Sequence, residues 1–273
     1  NELRKFRRII VIEKLENYSK KLFEDGFVII KSLLDKNDLE LLGSAINSNI
    51  NSPSPFCRVM ESEKKGKFFM DFNNWKRLPL VNQMCCLPKI IDLVTGLTKS
   101  KKCWLFHDHI LVKYENSSPT PIHHDRPYYI FKGDLNLSVW MTPDKVPANS
   151  GLIFFRGTHK LNKLFMPKSF NGGGDIAKNS EGFELIEEVE KNFDAVSFDM
   201  NPGDALVFFN NTVHASHPHK SKTTRRALSV RFLLDGATMT KKYINATPPF
   251  DRMGVNVIED APVPEKFFPL LRG

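Results

Sequence analysis

The chain has 273 residues, and its 41% hydrophobic and 26% charged content is typical of a globular protein large enough to bury a core. No run of apolar residues approaches the ~18 needed to cross a bilayer, which argues against a membrane-spanning helix. The net charge of +8 arises from 39 basic and 31 acidic residues. Because the lysines are scattered, we expect a solvated basic surface and no nucleic-acid partner.

The cysteines do not form a disulfide or metal pattern. They are Cys57, Cys85, Cys86 and Cys103, and none has CxxC spacing. Free thiols in a reducing compartment are the simpler interpretation, so we expect an intracellular, cytoplasmic protein. Separately, we expect a monomer. A targeting segment ahead of Asn1 stays open as an alternative.

The first hundred residues are predicted to be largely helical. Helices are predicted over residues 12–24, from Asp35 to Ile46 and over 87–98, with a short strand at 27–30. Asp35 is a typical helix N-cap residue, and Pro88 suits a first helical turn. Residues 51–80, rich in proline and lysine, are predicted to be irregular.

From about residue 103 onwards, apolar residues alternate with polar ones, which predicts β-strands. The strands are predicted over 104–114, 122–131, 135–142, 151–157, 195–200, 204–216 and 225–234. Helices followed by strands indicate a helical layer packed on one sheet of a two-sheet structure, and seven or eight strands suit a jelly roll. We therefore predict a mainly β fold with helices (α+β), namely a double-stranded β-helix with an N-terminal helical layer.

No stretch of the chain has the composition of a domain linker, so we predict a single domain. Its parts are a helical support region (1–100), a jelly-roll core (101–235) and a C-terminal extension (236–273). The long segment 160–193 contains Gly172-Gly173-Gly174. Segments of this length are commonly lids or disordered insertions, and both interpretations stay open.

Three residues have the pattern of an oxygen-activating metal site. In a strand, residues i and i+2 share a face, so His123 and Asp125 are expected to point together while His124 points away. A sheet that folds on itself can bring His214, near the end of a later strand, against them. Two histidines and one carboxylate leave half of an octahedral Fe(II) open for O₂ and a bidentate co-substrate, whereas a structural zinc site is closed.

The last predicted strand has two different faces. One carries Arg225, Ala227, Ser229, Arg231 and Leu233, and the other carries Arg226, Leu228, Val230, Phe232 and Leu234. The second face suits packing against helices, and the first suits a barrel lining. A buried Arg225 needs an anion, which is either an acidic ligand or a protein carboxylate. Trp140, on the polar face of strand 135–142, is expected either to wall the ligand pocket or to lie in the core.

The other histidines are predicted to have no part in a metal site. His107 and His109 share a strand face, but no third ligand accompanies them, so a structural role is favoured. His217 and His219, in the turn before the last strand, are expected to be exposed.

Together these motifs resemble the phytanoyl-CoA dioxygenase family of Fe(II)- and 2-oxoglutarate-dependent oxygenases. The resemblance covers roughly residues 20–235. It consists of Phe23-Glu24-Asp25-Gly26-Phe27, His123-His124-Asp125-Arg126-Pro127-Tyr128, Asn149-Ser150-Gly151, Gly157-Thr158-His159-Lys160, Pro202-Gly203-Asp204, His214-Ala215-Ser216 and Arg225. The HxD pattern alone is common, but its combination with the other motifs and an arginine eleven positions after His214 is specific.

The resemblance implies a role for each matching residue. His123, Asp125 and His214 would bind iron, and the cofactor-binding residues would be Arg225, which anchors the distal carboxylate of 2-oxoglutarate, with Ser216 and Trp140. The implied reaction uses O₂ and 2-oxoglutarate to oxidise an unactivated C–H bond and releases succinate and CO₂, with ascorbate as a candidate reductant. An intact Asp125 favours oxygenation over halogenation, because related halogenases have a small residue there.

The substrate is expected to be a small, anionic molecule. The residues that favour this charge, or that would line the substrate pocket, are Arg126, Tyr128, Arg231 and Lys113. Hydroxylation is the default outcome, and oxidative cyclisation or desaturation in secondary metabolism is the alternative. A catalytically silent binding module of the same fold is an alternative of another class, and nucleic-acid oxidation is disfavoured because Lys64–Phe69 is too short a basic and aromatic stretch.

Overall fold

The protein is described as a computed structural model that covers residues 2–62, 65–166, 182–184, 186, 189–244 and 246–273. The helices are α1 (Glu2–Asp25), α2 (Lys36–Asn51), α3 (Pro79–Cys85), α4 (Pro88–Thr98) and α5 (Val189–Asn192). The strands are β1 (Phe27–Ile30), β2 (Arg58–Ser62), β3 (Lys65–Phe72), β4 (Cys103–Lys113), β5 (Thr120–His123), β6 (Phe131–Lys132), β7 (Leu137–Met141), β8 (Leu152–Phe155), β9 (Ala195–Val196), β10 (Ala205–Phe209), β11 (His214–Ser216), β12 (Arg225–Leu234), β13 (Thr238–Met239) and β14 (Leu270–Arg272).

Two antiparallel sheets form the body of the fold. The large sheet has the order β1-β10-β7-β12-β4-β3-β2, with β14 also paired to β4, and the small sheet has the order β5-β11-β8-β9. Aromatic and aliphatic side chains from both sheets meet between them, among them Phe27, Trp140, Phe154 and Phe208. The predicted jelly roll is confirmed.

The predicted helical layer covers the outer face of the large sheet. Leu42 and Ile46 of α2 and Val94 of α4 pack in one buried cluster with Leu228 and Val230 of β12. The capping box of α2 is complete, because Asp35 accepts from the Asp38 N–H and Asp38 accepts from the Asp35 N–H. The outward face of β12 therefore packs against helices, as its apolar pattern predicted.

The turn between α1 and β1 depends on Gly26. Its φ of +91° lies in the left-handed region, and a Cβ there would come within 2.4 Å of His159. The Thr212 hydroxyl donates a 2.7 Å hydrogen bond to the Gly26 carbonyl. This contact ties the helical layer to the loop that precedes His214.

The prediction that residues 51–80 are irregular is wrong. They include the hairpin of β2 and β3, which extends the large sheet beside β4. Phe68, Met70 and Phe72 lie on one face of β3, while Phe69 packs on the opposite face with the helices. A strand buried on both faces lacks the alternation on which the prediction depends.

Two predicted strands are each interrupted. Segment 122–131 contains β5, a 3₁₀ helix at Arg126–Tyr128 and the start of β6, because Pro127 and its neighbours turn the chain. Segment 204–216 is divided into β10 and β11, which belong to different sheets. The glycine run within 160–193 lies outside the described residues.

One described segment, Pro79–Thr98, is long and apolar enough for a membrane span by composition, and half of it is buried in the fold. It comprises two helices, α3 and α4, and buried residues of both, such as Met84 and Val94, belong to the main core cluster. Helices that pack in the core of a protein can be equally apolar.

Candidate metal centre and co-substrate pocket

The three predicted metal ligands converge between the two sheets. His123 ends β5 and lies opposite His214, the first residue of β11, while Asp125 lies in the turn after β5. The Nε2 atoms of His123 and His214 are 3.8 and 4.0 Å from Oδ1 of Asp125, and the three ligand atoms lie within 4.8 Å of one another. This turn, rather than the expected strand alternation, directs Asp125 towards the histidines.

Both histidines are held in the form that binds a metal. Nδ1 of His123 donates to the Pro121 carbonyl at 2.8 Å, and Nδ1 of His214 donates to the Thr212 carbonyl at 2.9 Å. A neutral ring with its proton on Nδ1 has its lone pair on Nε2, which faces Asp125. Burial lowers the pKa of His214 to about 4, which keeps the ring neutral.

Asp125 uses its two oxygens differently. Oδ1 faces the histidines, whereas Oδ2 accepts from Ser138 Oγ at 3.4 Å and lies 3.6 Å from Nη2 of Arg231. Burial alone would raise the pKa of this carboxyl, but the charge of Arg231 and a hydrogen bond from Tyr129 lower it well below its usual range. A carboxylate whose Oδ1 lies beside two neutral imidazoles fits a divalent iron ion with open coordination positions.

Arg225 is a buried cation without a carboxylate partner among the described residues. It is 3% exposed, its Nη1 donates to the Ser150 carbonyl, and its Nε has no partner. The guanidinium carbon lies 5.8 Å from the ring centre of Trp140. Burial lowers the pKa of Arg225 to about 10, and a dicarboxylate would supply the missing negative charge.

A second buried cation, Lys113, lies beside this arginine. Lys113 and Arg225 are register partners on β4 and β12. The Lys113 ammonium donates to Ser216 Oγ at 2.7 Å and to the Ser118 carbonyl at 2.8 Å, and the Ser216 hydroxyl in turn donates to Thr120 Oγ1 at 2.8 Å. Lys113 therefore orients the predicted co-substrate residue Ser216, a role that the sequence did not indicate.

One cavity of about 410 Å³ joins these groups. Its wall includes the three metal ligands, Trp140, Ser216 and Arg225, together with Arg58, Met60, Phe68, Met70 and Phe72 from the β2–β3 hairpin. Of the predicted substrate-lining residues, Tyr128 and Arg231 line this cavity, and Arg126 does not. The charge of Arg231 is already directed at Asp125, and its Nε donates to the Tyr129 hydroxyl at 2.7 Å.

Three other histidines lie where the sequence gave no reason to expect them. His107 and His109 line the cavity. The prediction that His219 is exposed is wrong: it is 3% exposed, and its Nδ1 lies 2.7 Å from Ser150 Oγ, next to the carbonyl that Arg225 binds. Their positions depend on pairing between distant strands, which local sequence patterns do not show.

Comparison with known proteins identifies the family. The family model described as phytanoyl-CoA dioxygenase (PhyH) matches residues 22–227. The chain belongs to this family. A peroxisomal phytanoyl-CoA dioxygenase of Homo sapiens is 27% identical over 248 residues, which is 82% of this chain and 68% of that protein. The chain therefore spans about two thirds of the length of this relative.

Two solved structures have the same fold. The epimerase SnoN, in complex with Fe³⁺, alpha ketoglutarate and nogalamycin RO, has a TM-score of 0.77 at 19% identity, over 95% of this chain and 99% of that one. The alpha ketoglutarate-dependent carbocyclase SnoK has a TM-score of 0.74 at 17% identity, over 93% of this chain and 95% of that one. Family membership and the His-Asp-His site make this chain a 2-oxoglutarate-dependent oxygenase.

Proposed function

We propose that the protein oxidises an unactivated C–H bond of a small, anionic molecule, with hydroxylation as the default outcome. The observation that carries this proposal is the cavity itself, which joins a His-Asp-His ligand set to Arg225, a buried arginine that has no carboxylate partner among the described residues. Bound iron with 2-oxoglutarate and O₂ supplies the oxidising power and releases succinate and CO₂.

The residues of this chain would bind the iron and 2-oxoglutarate, orient them and shape the cavity. His123, Asp125 and His214 would hold the iron, and Arg225 would bind the distal carboxylate of 2-oxoglutarate. Lys113 and Thr120 fix the position of the Ser216 hydroxyl at the same end of the cavity. Phe68 and Met70 of the hairpin add apolar surface to the wall of the cavity, which would disfavour water there once a substrate is bound.

The position of Arg58 supports the proposal that the substrate is anionic. Its exposed side chain lines the cavity and contacts the ring of Phe72, with no carboxylate partner among the residues described. The expectation drawn from Arg126, Arg231 and Lys113 loses its support, because the first is outside the cavity and the other two are bonded within the protein. An anionic group of the substrate would thus bind at Arg58.

The test is an anaerobic titration of the metal-free protein with Fe(II) and 2-oxoglutarate, which yields a visible charge-transfer band when both bind one centre. We expect a saturable band that is lost in His214→Ala and weakened in Arg225→Ala. A protein that gives no band, or that binds zinc tightly instead, would overturn the proposal in favour of a silent binding module. If the band forms as expected, substrates can be identified by the succinate that they cause the protein to release.

Product analysis distinguishes hydroxylation from the alternative outcomes. Hydroxylation adds one oxygen atom to the substrate, cyclisation or desaturation removes two hydrogen atoms, and epimerisation leaves the formula unchanged. The shared fold of SnoN and SnoK is the reason to measure all three outcomes by mass spectrometry.

A further inference from the structure

One buried histidine lies behind the arginine that would bind the co-substrate. His219 belongs to the loop between β11 and β12, is 3% exposed and is not among the residues that line the cavity. Both of its ring nitrogens are bonded within the protein. Nδ1 lies 2.7 Å from Ser150 Oγ, and Nε2 is hydrogen-bonded to the carbonyl oxygen of Thr223. The ring therefore bridges two segments that are distant in the sequence.

The direction of each hydrogen bond follows from the chemistry of the partner. A carbonyl oxygen only accepts, so the ring proton of His219 is on Nε2 and is donated to Thr223. Nδ1 then has its lone pair free to accept from the Ser150 hydroxyl. Burial and the nearby charges of Arg225 and Lys113 lower the pKa of His219, which keeps the ring neutral at pH 7 and preserves this tautomer.

The two partners of His219 lie at the two ends of Arg225. The Thr223 carbonyl comes two residues before Arg225, so its hydrogen bond fixes the backbone where β12 begins. Ser150 lies at the other end, because its own carbonyl oxygen accepts from Nη1 of Arg225. One imidazole thus connects the backbone that carries the arginine to the residue that the guanidinium binds.

The backbone of the same loop is attached independently of the ring. The His219 N–H donates to the Ser117 carbonyl at 3.0 Å. The His217 N–H donates at 3.1 Å to the carbonyl of Gly151, the residue after Ser150. Because these bonds do not involve the imidazole, a substitution of His219 should remove the ring contacts and leave the path of the loop in place.

Orientation decides how well an arginine binds a carboxylate. A guanidinium is planar, and a bidentate pair forms only when its plane is aligned with that of the carboxylate. Besides the Ser150 carbonyl, the contact recorded for the Arg225 guanidinium among the described residues is the face of Trp140. We propose that His219 is a positioning residue for the co-substrate: it holds Ser150, whose carbonyl sets the direction of the Arg225 guanidinium. This role rests on the proposed function, in which Arg225 binds the distal carboxylate of 2-oxoglutarate.

The orientation is tested first in the metal-free protein, without a ligand. Arginine side-chain ¹H–¹⁵N NMR gives separate Nη1 and Nη2 signals when rotation of the guanidinium is restricted and one averaged signal when it is free. The signals of Arg225 are those that are absent from Arg225→Met. We expect separate signals in the wild type and an averaged signal in His219→Phe. An averaged signal in the wild type, or separate signals in His219→Phe, would overturn the proposal.

The matched control is His217→Phe. His217 lies in the same loop, but its Nε2 is 3.4 Å from Ser197 Oγ and its ring does not contact Ser150. We expect this variant to keep the separate Arg225 signals of the wild type. An averaged signal in both variants would show that any substitution in the loop frees the guanidinium, which would overturn the specific role of His219.

Two 2-oxo acids distinguish positioning from a general loss of structure. 2-Oxoglutarate and 2-oxobutanoate share the group that chelates iron, and only the first has a distal carboxylate. In an anaerobic titration with Fe(II), we expect His219→Phe to weaken the binding of 2-oxoglutarate about tenfold and to leave that of 2-oxobutanoate unchanged. Equal losses for the two acids, or no loss for either, would overturn the proposal.

Two further variants test the route through Ser150 and Arg225. In His219→Asn the amide oxygen takes the place of Nδ1 as an acceptor for Ser150, so 2-oxoglutarate affinity should recover to within about threefold of the wild type. Arg225→Met and its double variant with His219→Phe should bind 2-oxoglutarate equally weakly, because His219 acts only through Arg225. A further loss in the double variant would overturn the proposal. A missing charge-transfer band in the wild type would count against the proposed function alone, since the NMR test needs neither metal nor 2-oxoglutarate.

Discussion

Two buried arginines on the same face of β12 differ in what neutralises them. Arg231 donates to Tyr129 and lies beside Asp125, and these partners raise its pKa despite its burial. Arg225, six residues earlier, has a backbone carbonyl and the face of Trp140, and burial lowers its pKa. The difference is that Arg231 is neutralised by Asp125 within the protein, whereas the charge of Arg225 has no carboxylate partner among the described residues, which is why we propose that it binds a ligand.

Removing the paired arginine should have the largest effect. In Arg231→Met, Oδ2 of Asp125 loses its cation and a buried charge is left without its main partner. We expect the free energy of unfolding to fall by about 3–5 kcal/mol and Fe(II) affinity to fall roughly 10- to 100-fold. Urea unfolding and metal titration measure both, with Arg231→Lys as the partial replacement. Unchanged stability would contradict the role given to this ion pair.

Removing the unpaired arginine should affect binding and leave folding nearly unchanged. We expect Arg225→Met to weaken the binding of 2-oxoglutarate about 100-fold, because the bound carboxylate would lose its guanidinium partner. The free energy of unfolding of the ligand-free protein should change by less than about 1 kcal/mol, since a desolvated charge is replaced by an apolar side chain. Equilibrium dialysis with 2-oxoglutarate and urea unfolding test this, and a large loss of stability would remove the contrast with Arg231.

The sequence predicted the ligand set because each element of it is local. HxD, HxS and the arginine offset are short patterns, and an inward face on β12 follows from strand alternation. The partner of Arg231 could not be predicted, since it depends on how the turn after β5 approaches β12. Arg126 and Tyr128 illustrate the same limit, because the 3₁₀ helix directs only Tyr128 into the cavity.

The substrate side of the cavity was the least predictable part. The β2–β3 hairpin contributes five wall residues, yet its sequence lacks the alternation that marks a half-buried strand. In the sequence, Lys113 is likewise only the predicted end of a strand. Its hydrogen bond to Ser216 joins residues that are 103 positions apart. Both features arise from pairing between distant segments, which one sequence does not record.

Acid should lower the free energy of unfolding, because the buried histidines near Arg231 are neutral in the folded protein. Burial lowers the pKa of His107 and His109 well below the ordinary value of 6.5, so below pH 6.5 the unfolded chain takes up protons that the folded protein does not. Stability is therefore retained above pH 6.5 and lost as the pH falls, by up to about 1.4 kcal/mol per pH unit for each ring.

Urea unfolding of the metal-free protein at pH 7.5, 6.5 and 5.5 (roughly one unit apart, to match the per-unit slope) measures this loss. His107→Phe should reduce the slope of unfolding free energy against pH by about one proton, because it removes one ring that takes up a proton only in the unfolded chain. Phenylalanine should fit at this position, because Phe106, Tyr129 and Phe250 already surround the ring with aromatic carbon. An unchanged slope would mean that His107 is protonated in the folded protein.

The smallest effect is expected at Lys113, which acts on the co-substrate end through Ser216. Lys113→Met removes the donor to Ser216 Oγ and leaves Arg225 in place, so 2-oxoglutarate affinity should fall only about fivefold. Ser216→Ala should have a similar effect, and the double variant should be no weaker than either, because the two residues act as one unit. Additive losses would instead mean that Lys113 contacts the co-substrate directly, and Arg225 would then share its role with a second cation.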